Sequence, residues 1–254
     1  PFGTLKGGLG LQGGFQENVY TGLGLIPNHR SLDGGVFAFE RLSLRRVDLE
    51  VGARLDGMQR TAFLGTEDYG EHVARGTLDG DRCTPVGTGA RCASAYHAGS
   101  VSLGGLVHVV PETLDLKLDL SSASRFPNID ELYLQGSAPS FPVYALGYPD
   151  LRTETAWNAS ATAGLRLPWL TGELSGYAGI VERYIYFAPE RTASGEPAYE
   201  VTIRGAWPRY TYSPIPAALY GFDGSVAIAE EAPRGMEARA AVVRAVDRRD
   251  GSQL

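Results

Sequence analysis

Apolar and polar residues alternate along several stretches of the chain. In "VDLEVGARLD" (47–56), "LDLKLDL" (114–120) and "WNASATAGLRL" (157–167), every second residue is apolar. A period of two residues predicts β-strands, because successive side chains of a strand point to opposite faces. The same alternation recurs less cleanly in six further segments, at roughly 3–14, 33–43, 95–109, 171–186, 209–229 and 234–246. The pattern predicts about nine strands and no helix.

The connections between these segments alternate in length. Those after residues 43, 109, 167 and 229 are short, and those after 14, 59, 124 and 186 have about twenty to thirty-five residues. In an antiparallel meander, this order places every short turn at one end and every long loop at the other, as in outer-membrane barrels. The predicted strands are also longer than the usual strand of a soluble protein and long enough to cross a bilayer. Because a soluble β-sandwich alternates too, a soluble all-β binding module stays open.

Aromatic residues gather near the long-loop ends of the later strands. This position is typical of the aromatic girdle of a membrane barrel, and the alternative is packing in a soluble core. The residues concerned are Tyr184, Tyr186, Phe187, Tyr210 and Tyr212.

Composition narrows the class of protein. The chain has 254 residues with 33 Gly and 15 Pro, which favours turns, and a net charge of -6, which gives no basic excess for nucleic acid. No apolar run reaches the length of a transmembrane helix, and no signal peptide is present. Four scattered histidines without a nucleophile motif predict that the chain is not an enzyme and holds no cofactor. Because the sequence begins in strand-like residues, we expect a fragment that is truncated at both ends.

The two cysteines, Cys83 and Cys92, lie in "DRCTPVGTGARC". Their spacing within a loop predicts a local disulfide and an oxidising compartment. Two free thiols are the alternative. A metal pair is less favoured, because no second cysteine pair or neighbouring histidine would complete the ligand set.

The long polar segment 124–155 carries a family resemblance. "SRFPNIDELY", followed by "GYPDLRTET", resembles the barrel of TonB-dependent outer-membrane receptors, in which Arg, Pro and Glu-Leu are followed by Gly-x-Pro-x-Leu and an acidic residue. "GVFAFERLSLRRVDLEVGARLD" and "ERYIYFAPE" resemble further strands of that barrel, in the same order. The signature residues in this chain are Arg125, Pro127, Glu131, Leu132, Gly147, Pro149, Leu151 and Glu154.

The resemblance implies a fold and a function. The fold would be an all-β, antiparallel transmembrane β-barrel fragment, with residues 1–254 forming about nine meander strands of a 22-stranded barrel without its plug domain. The function would be import of a scarce nutrient across the outer membrane of a Gram-negative bacterium. The implied partners are outer-membrane lipid, the plug, a periplasm-spanning energy-coupling complex and a small extracellular ligand. A structural or adhesive barrel that transports nothing is the alternative.

Two histidines are candidate ligands for a transported metal ion or metal chelate. His72 lies in a long loop with Glu67, Asp68 and Glu71, and His97 lies at the loop end of a strand. Imidazole with carboxylate suits a divalent transition metal, although a solvated polar loop has the same composition. The closest resemblance is to zinc-uptake receptors, yet the histidine that often follows Glu-Leu-Tyr in that subgroup is absent here, which weakens the expectation of zinc.

We call the segment 124–155 the signature loop. Its polar residues, including Arg125, Glu131 and Glu154, allow two interpretations. They could shape the loop, or they could contact the ligand. We favour a structural role, because the prolines and glycines around them restrict and redirect the backbone of an ordered loop.

Overall fold

The protein is described by a computed structural model that covers residues 3–21, 24–78, 82–138, 141–203, 205–229 and 235–254. Within these ranges, nine strands have twelve or more residues. These are β1 (Thr4–Asn18), β2 (Asn28–Ser43), β3 (Val47–Leu64), β5 (Gly89–Val110), β6 (Leu114–Arg125), β9 (Glu154–Arg166), β10 (Leu170–Pro189), β12 (Gly205–Ala229) and β13 (Gly235–Asp247).

In their described residues, the long connections contain four short strands and two helices. The short strands are β4 (Cys83–Val86), β7 (Gln135–Ala138), β8 (Phe141–Leu146) and β11 (Tyr199–Thr202), and the helices are α1 (Thr66–Ala74) and α2 (Ile129–Tyr133). In the part of the chain that the structure describes, no helix has the length and apolar character needed to cross a membrane.

The nine long strands form one antiparallel meander in which sequential long strands are neighbours. Short turns follow β2, β5 and β9, and long loops follow β3, β6 and β10. This confirms the predicted all-β meander, its nine strands and the separation of short turns from long loops. The sheet is open, with β1 and β13 at its edges in the described residues.

Three features differ from the sequence predictions. The strands extend farther into the loops, so that only residues 19–27 separate β1 from β2. The prediction of no helix was wrong, because α1 is a polar loop helix that buries only His72, and α2 is a single turn. The short strands were also missed, because they are too brief to establish a period.

The two faces of the sheet have opposite character. On the outer face, apolar residues align across the strands, as in the row Val51, Leu103, Leu120, Ala159 and Ala178. Leu103 and Leu118 on this face are 55% and 54% exposed, so the chain's own core does not cover them. Since a soluble monomer rarely exposes so broad an apolar surface, the outer face has the character of a lipid-facing wall.

The inner face is polar, and its charged side chains form ion pairs with one another. Arg54 contacts Asp56 at 2.7 Å, and Lys117 contacts Asp119 at 2.9 Å. The buried apolar core lies at the long-loop end of this same face, where Tyr96 of β5 and Ile185 of β10 meet Leu132 and Leu151 from the loops. The long loops therefore fold back onto the inner side of the wall.

Candidate functional site: the loop cluster at the inner mouth

The long loops after β3, β6 and β10 pack together over the inner face, and we call their described residues, 65–78, 82–88, 126–138, 141–153 and 190–203, the loop cluster. Its centre is dry, since Leu132 and Leu151 are 0% and 1% exposed. They contact wall residues that point inward, including Ala62 of β3. A large apolar core is what allows these polar segments to order instead of remaining flexible.

The first half of the signature loop forms α2, which is held in place by a capping box and by a residue of the barrel wall. Glu131 accepts a hydrogen bond from the backbone N–H of Asn128 at 2.7 Å, which closes a capping box. Pro127 is fully buried, and its carbonyl oxygen accepts a hydrogen bond from Nη1 of the buried Arg60 at 2.6 Å. The helix therefore begins at a position that the wall of the barrel sets.

The charged signature residues bind one another. Arg125 donates to Glu131 at 3.0 Å and to both carboxylate oxygens of Glu154 at 3.2 Å. Glu154 also accepts a hydrogen bond from the backbone N–H of Ile185 at 2.8 Å. That N–H follows an irregularity in β10, where Arg183 has a φ of 55°. The three side chains thus join α2 to the wall at a β-bulge that turns Ile185 inward.

The second half of the signature loop closes on the first. Gly147 donates to the carbonyl of Leu134 at 2.6 Å, and a Cβ at Gly147 would lie 2.5 Å from the backbone of Leu132. Pro149 is buried next to it, and Leu151 completes the apolar core. Glycine is required at 147 because two backbones meet there.

The segment between these halves forms a hairpin that reaches across the mouth. Its strand β8 pairs in parallel with β12 over three residues, with Arg209 opposite Tyr144. Its strand β7 is bound to the β1–β2 loop, because the backbone N–H of Gln135 donates to the carbonyl of Leu25 at 3.0 Å. The hairpin β7–β8 therefore spans from the β1–β2 loop to the far side of the described sheet.

Charged residues join the loops after β3 and β10 to each other and to β12. Arg75, the C-cap residue of α1, contacts Glu71 at 3.0 Å and Glu190 at 3.7 Å, and Arg209 contacts Glu190 at 2.9 Å. Glu200 lies 4.0 Å from both arginines. All five side chains are partly buried, so solvent screens their attraction less than at an open surface.

Glu71 also binds the hairpin. It accepts hydrogen bonds from Gln135 and from the hydroxyl of Tyr144, the latter at 3.2 Å. Burial raises the pKa of Tyr144 to about 12, so the phenol stays protonated and keeps donating to Glu71 at physiological pH. The sequence predictions missed this network, because most of its partners, such as Glu71 and Gln135 or Arg75 and Glu200, are far apart in the sequence and leave no local pattern.

The two candidate metal ligands lie on opposite sides of the wall. His72 of α1 is 1% exposed, and its Nδ1 lies 3.1 Å from Oγ1 of Thr77. Burial lowers the pKa of His72 to about 4, which keeps the imidazole neutral. His97 is opposite Gly57 in the register and shares the outer face with Val101, so it points away from the loop cluster.

No three His, Cys, Asp or Glu side chains form a group that could hold a metal ion among the residues that the structure describes. A metal role for His72 or His97 therefore stays a prediction. His108 lies near a short turn, where its Nδ1 is 2.6 Å from Asp115, and Asp115 also pairs with Arg166 at 2.7 Å.

Cys83 and Cys92 form a disulfide between β4 and β5, where they are directly opposite in the register. Both are buried in the core of the loop cluster. The bond links the loop after β3 covalently to the beginning of β5.

The aromatic residues near the long loops divide between the two faces. Tyr184 and Tyr186 stack on each other with ring centroids 6.3 Å apart, and they alternate with the inward Ile185, which places them on the outer face. Tyr212 instead packs against the buried core and lies 4.7 Å from the ring of Phe187. The predicted girdle was therefore wrong for Tyr212, because the loops that fold over the inner face supply apolar partners for its ring there.

Comparison with known proteins decides the family. The family model described as "TonB dependent receptor-like, beta-barrel" matches residues 6–241. The chain belongs to the TonB-dependent receptor family. No curated protein sequence matches it.

Solved structures of the same fold agree with this family. The copper transporter OprC superimposes with a TM-score of 0.65 at 16% identity, covering 90% of this chain and 31% of OprC. The Serratia marcescens hemophore receptor HasR, in complex with HasA and heme, gives 0.56 at 15% identity, covering 95% and 41%. The Neisseria meningitidis iron transporter FrpB gives 0.55 at 12% identity, covering 90% and 29%. The chain thus spans about a third of the length of these proteins.

Proposed function

We propose that the chain is part of the barrel wall and mouth of a receptor that imports a metal ion or metal chelate across the outer membrane of a Gram-negative bacterium. The observation that carries this proposal is the match to the family over residues 6–241. The exposed apolar outer face and the loops folded over the inner mouth are consistent with it.

The class of nutrient rests on similar structures. Solved proteins of the same fold are named as a copper transporter, a hemophore receptor with bound heme and an iron transporter. Because loops determine which ligand is bound, we assign ligand contact to the loop cluster and not to the wall. The proposed partners are a plug domain inside the barrel and an energy-coupling complex in the periplasm.

Uptake by cells tests this proposal. A strain without the gene should accumulate less of one metal, either free or offered as a chelate, and the full-length gene should restore the uptake. A second strain that has the gene but lacks energy coupling should show the same loss as the deletion. Normal uptake of every metal and chelate in the deletion strain would support the alternative, a structural or adhesive barrel.

A further inference from the structure

Two charged side chains lie within the apolar outer face of the described sheet. Arg244 of β13, opposite Tyr220, is at one edge, and Glu40 of β2 is near the other edge. Glu40 of β2 lies opposite Val51 on β3 and opposite Gly7 on β1. Its even-numbered neighbours on the strand, Ala38 and Leu42, share that face. Glu40 is exposed, and in the described residues it has neither an ion pair nor a hydrogen bond.

Glu40 lies inside the apolar band and not beyond it. The band runs along β2 from Leu32 to Leu42, which corresponds to about 25 Å along the membrane normal for a tilted strand. Glu40 is one row above Leu42, and therefore about 5 Å inside the edge nearest the short turn at 44–46. A carboxylate at this depth is costly unless a cation accompanies it.

The surroundings of Glu40 are suited to a lipid. The carboxylate forms part of a groove of about 410 Å³ on the outer face. The groove is lined mainly by apolar side chains, among them Leu5, Leu42, Leu49, Val51 and Leu103. Gly7 leaves space beside it, because a Cβ there would lie 2.3 Å from the carboxylate. Glu50 also borders the groove, but its side chain is on the inner face, where it pairs with Arg41 at 3.3 Å. The result is an apolar groove that has one carboxylate on its outer face, near the level of the lipid headgroups.

We propose that this groove binds a phospholipid with a primary ammonium headgroup, such as phosphatidylethanolamine, in the leaflet on the short-turn side. An acyl chain fills the apolar groove, and the ammonium donates to the carboxylate of Glu40. Phosphatidylglycerol lacks the cation, and phosphatidylcholine has a cation that cannot donate a hydrogen bond. The inference requires only that the outer face lies in lipid, and it is independent of which nutrient is imported.

Lipid retention by the full-length protein tests this inference. The wild type and Glu40→Gln are reconstituted in nanodiscs with equal amounts of the three phospholipids, and the bound lipid is measured by native mass spectrometry. We expect the ratio of bound phosphatidylethanolamine to phosphatidylglycerol to be about fivefold lower for Glu40→Gln. Glu40→Asp, which keeps the charge, should retain most of the preference.

The matched control is Glu17→Gln, which removes a carboxylate that is paired with Arg30 at 2.7 Å above the band on the same face. This variant should bind lipid like the wild type. Heat-modified migration in gels verifies that each variant is folded. An unchanged ratio in Glu40→Gln would overturn the proposal. Equal retention of phosphatidylcholine and phosphatidylethanolamine by the wild type would also overturn it. A Glu40→Gln protein with a changed oligomeric mass and an unaltered lipid ratio would do the same.

Discussion

Glu131 offers the sharpest test of why the signature loop has its sequence. Its carboxylate closes the capping box with Asn128 inside the loop cluster and accepts a hydrogen bond from Arg125 at the end of β6. Losing the cap costs about 1 kcal/mol. Losing the pair costs up to about 1 kcal/mol more, because the Arg125 side chain is 40% exposed and partly screened. Glu131→Ala should therefore lower the free energy of opening of this loop by about 2 kcal/mol.

Hydrogen exchange of the amides in residues 128–134 measures that free energy directly. A change of about 2 kcal/mol corresponds to exchange about thirtyfold faster. Glu131→Gln keeps a capping side chain but not the charge, so its exchange should accelerate much less. Glu196→Ala, on an exposed turn, is the control and should leave the segment unchanged. Unaltered protection in Glu131→Ala would refute the structural role and favour ligand contact.

Three further changes probe the loop cluster. Burial lowers the pKa of His72 to about 4, so between pH 6.5 and 4 this imidazole binds a proton only when the loop is open. The free energy of opening should therefore fall by about 3 kcal/mol as the pH decreases through that range, and His72→Gln should remove most of this pH dependence in hydrogen exchange. Gly147→Ala should expose the loop to protease, since its Cβ would meet the Leu132 backbone at 2.5 Å, whereas Gly195→Ala has open space around it and tests only the backbone strain of a glycine at φ 86°. Reducing Cys83–Cys92 should loosen residues 65–88 selectively, which limited proteolysis with and without reductant would detect, and equal cleavage would contradict this.

The wall could be predicted from the sequence because each strand contacts two different environments. In Leu114–Arg125, leucines face outward and charged residues face inward, so the period of two is present in the residues themselves. Gly147, Leu151 and Glu154 could be selected by resemblance, although the resemblance did not say what they contact. The structure supplies those contacts, namely the Leu132 backbone, the apolar core and Arg125.

The arrangement of the loops could not be predicted in this way. Arg60 binds the carbonyl of Pro127, and Glu71 binds Gln135, across more than sixty residues in each pair. Such contacts arise only when the wall has brought the loops together, and no local pattern encodes them. The helix α2 did have a local signal in Asn128 and Glu131, the two ends of a capping box, which the period of two obscured.

The central claim is that one face of this sheet lies in lipid and the other faces the interior of a barrel. Single cysteines at positions 116, 117, 118 and 119 of the full-length protein, each labelled with a fluorophore in vesicles containing spin-labelled lipid, test it most directly. Leu116→Cys and Leu118→Cys should be strongly quenched, because both side chains lie on the outer face, and Lys117→Cys and Asp119→Cys should be quenched weakly. Equal quenching at all four positions would contradict the account.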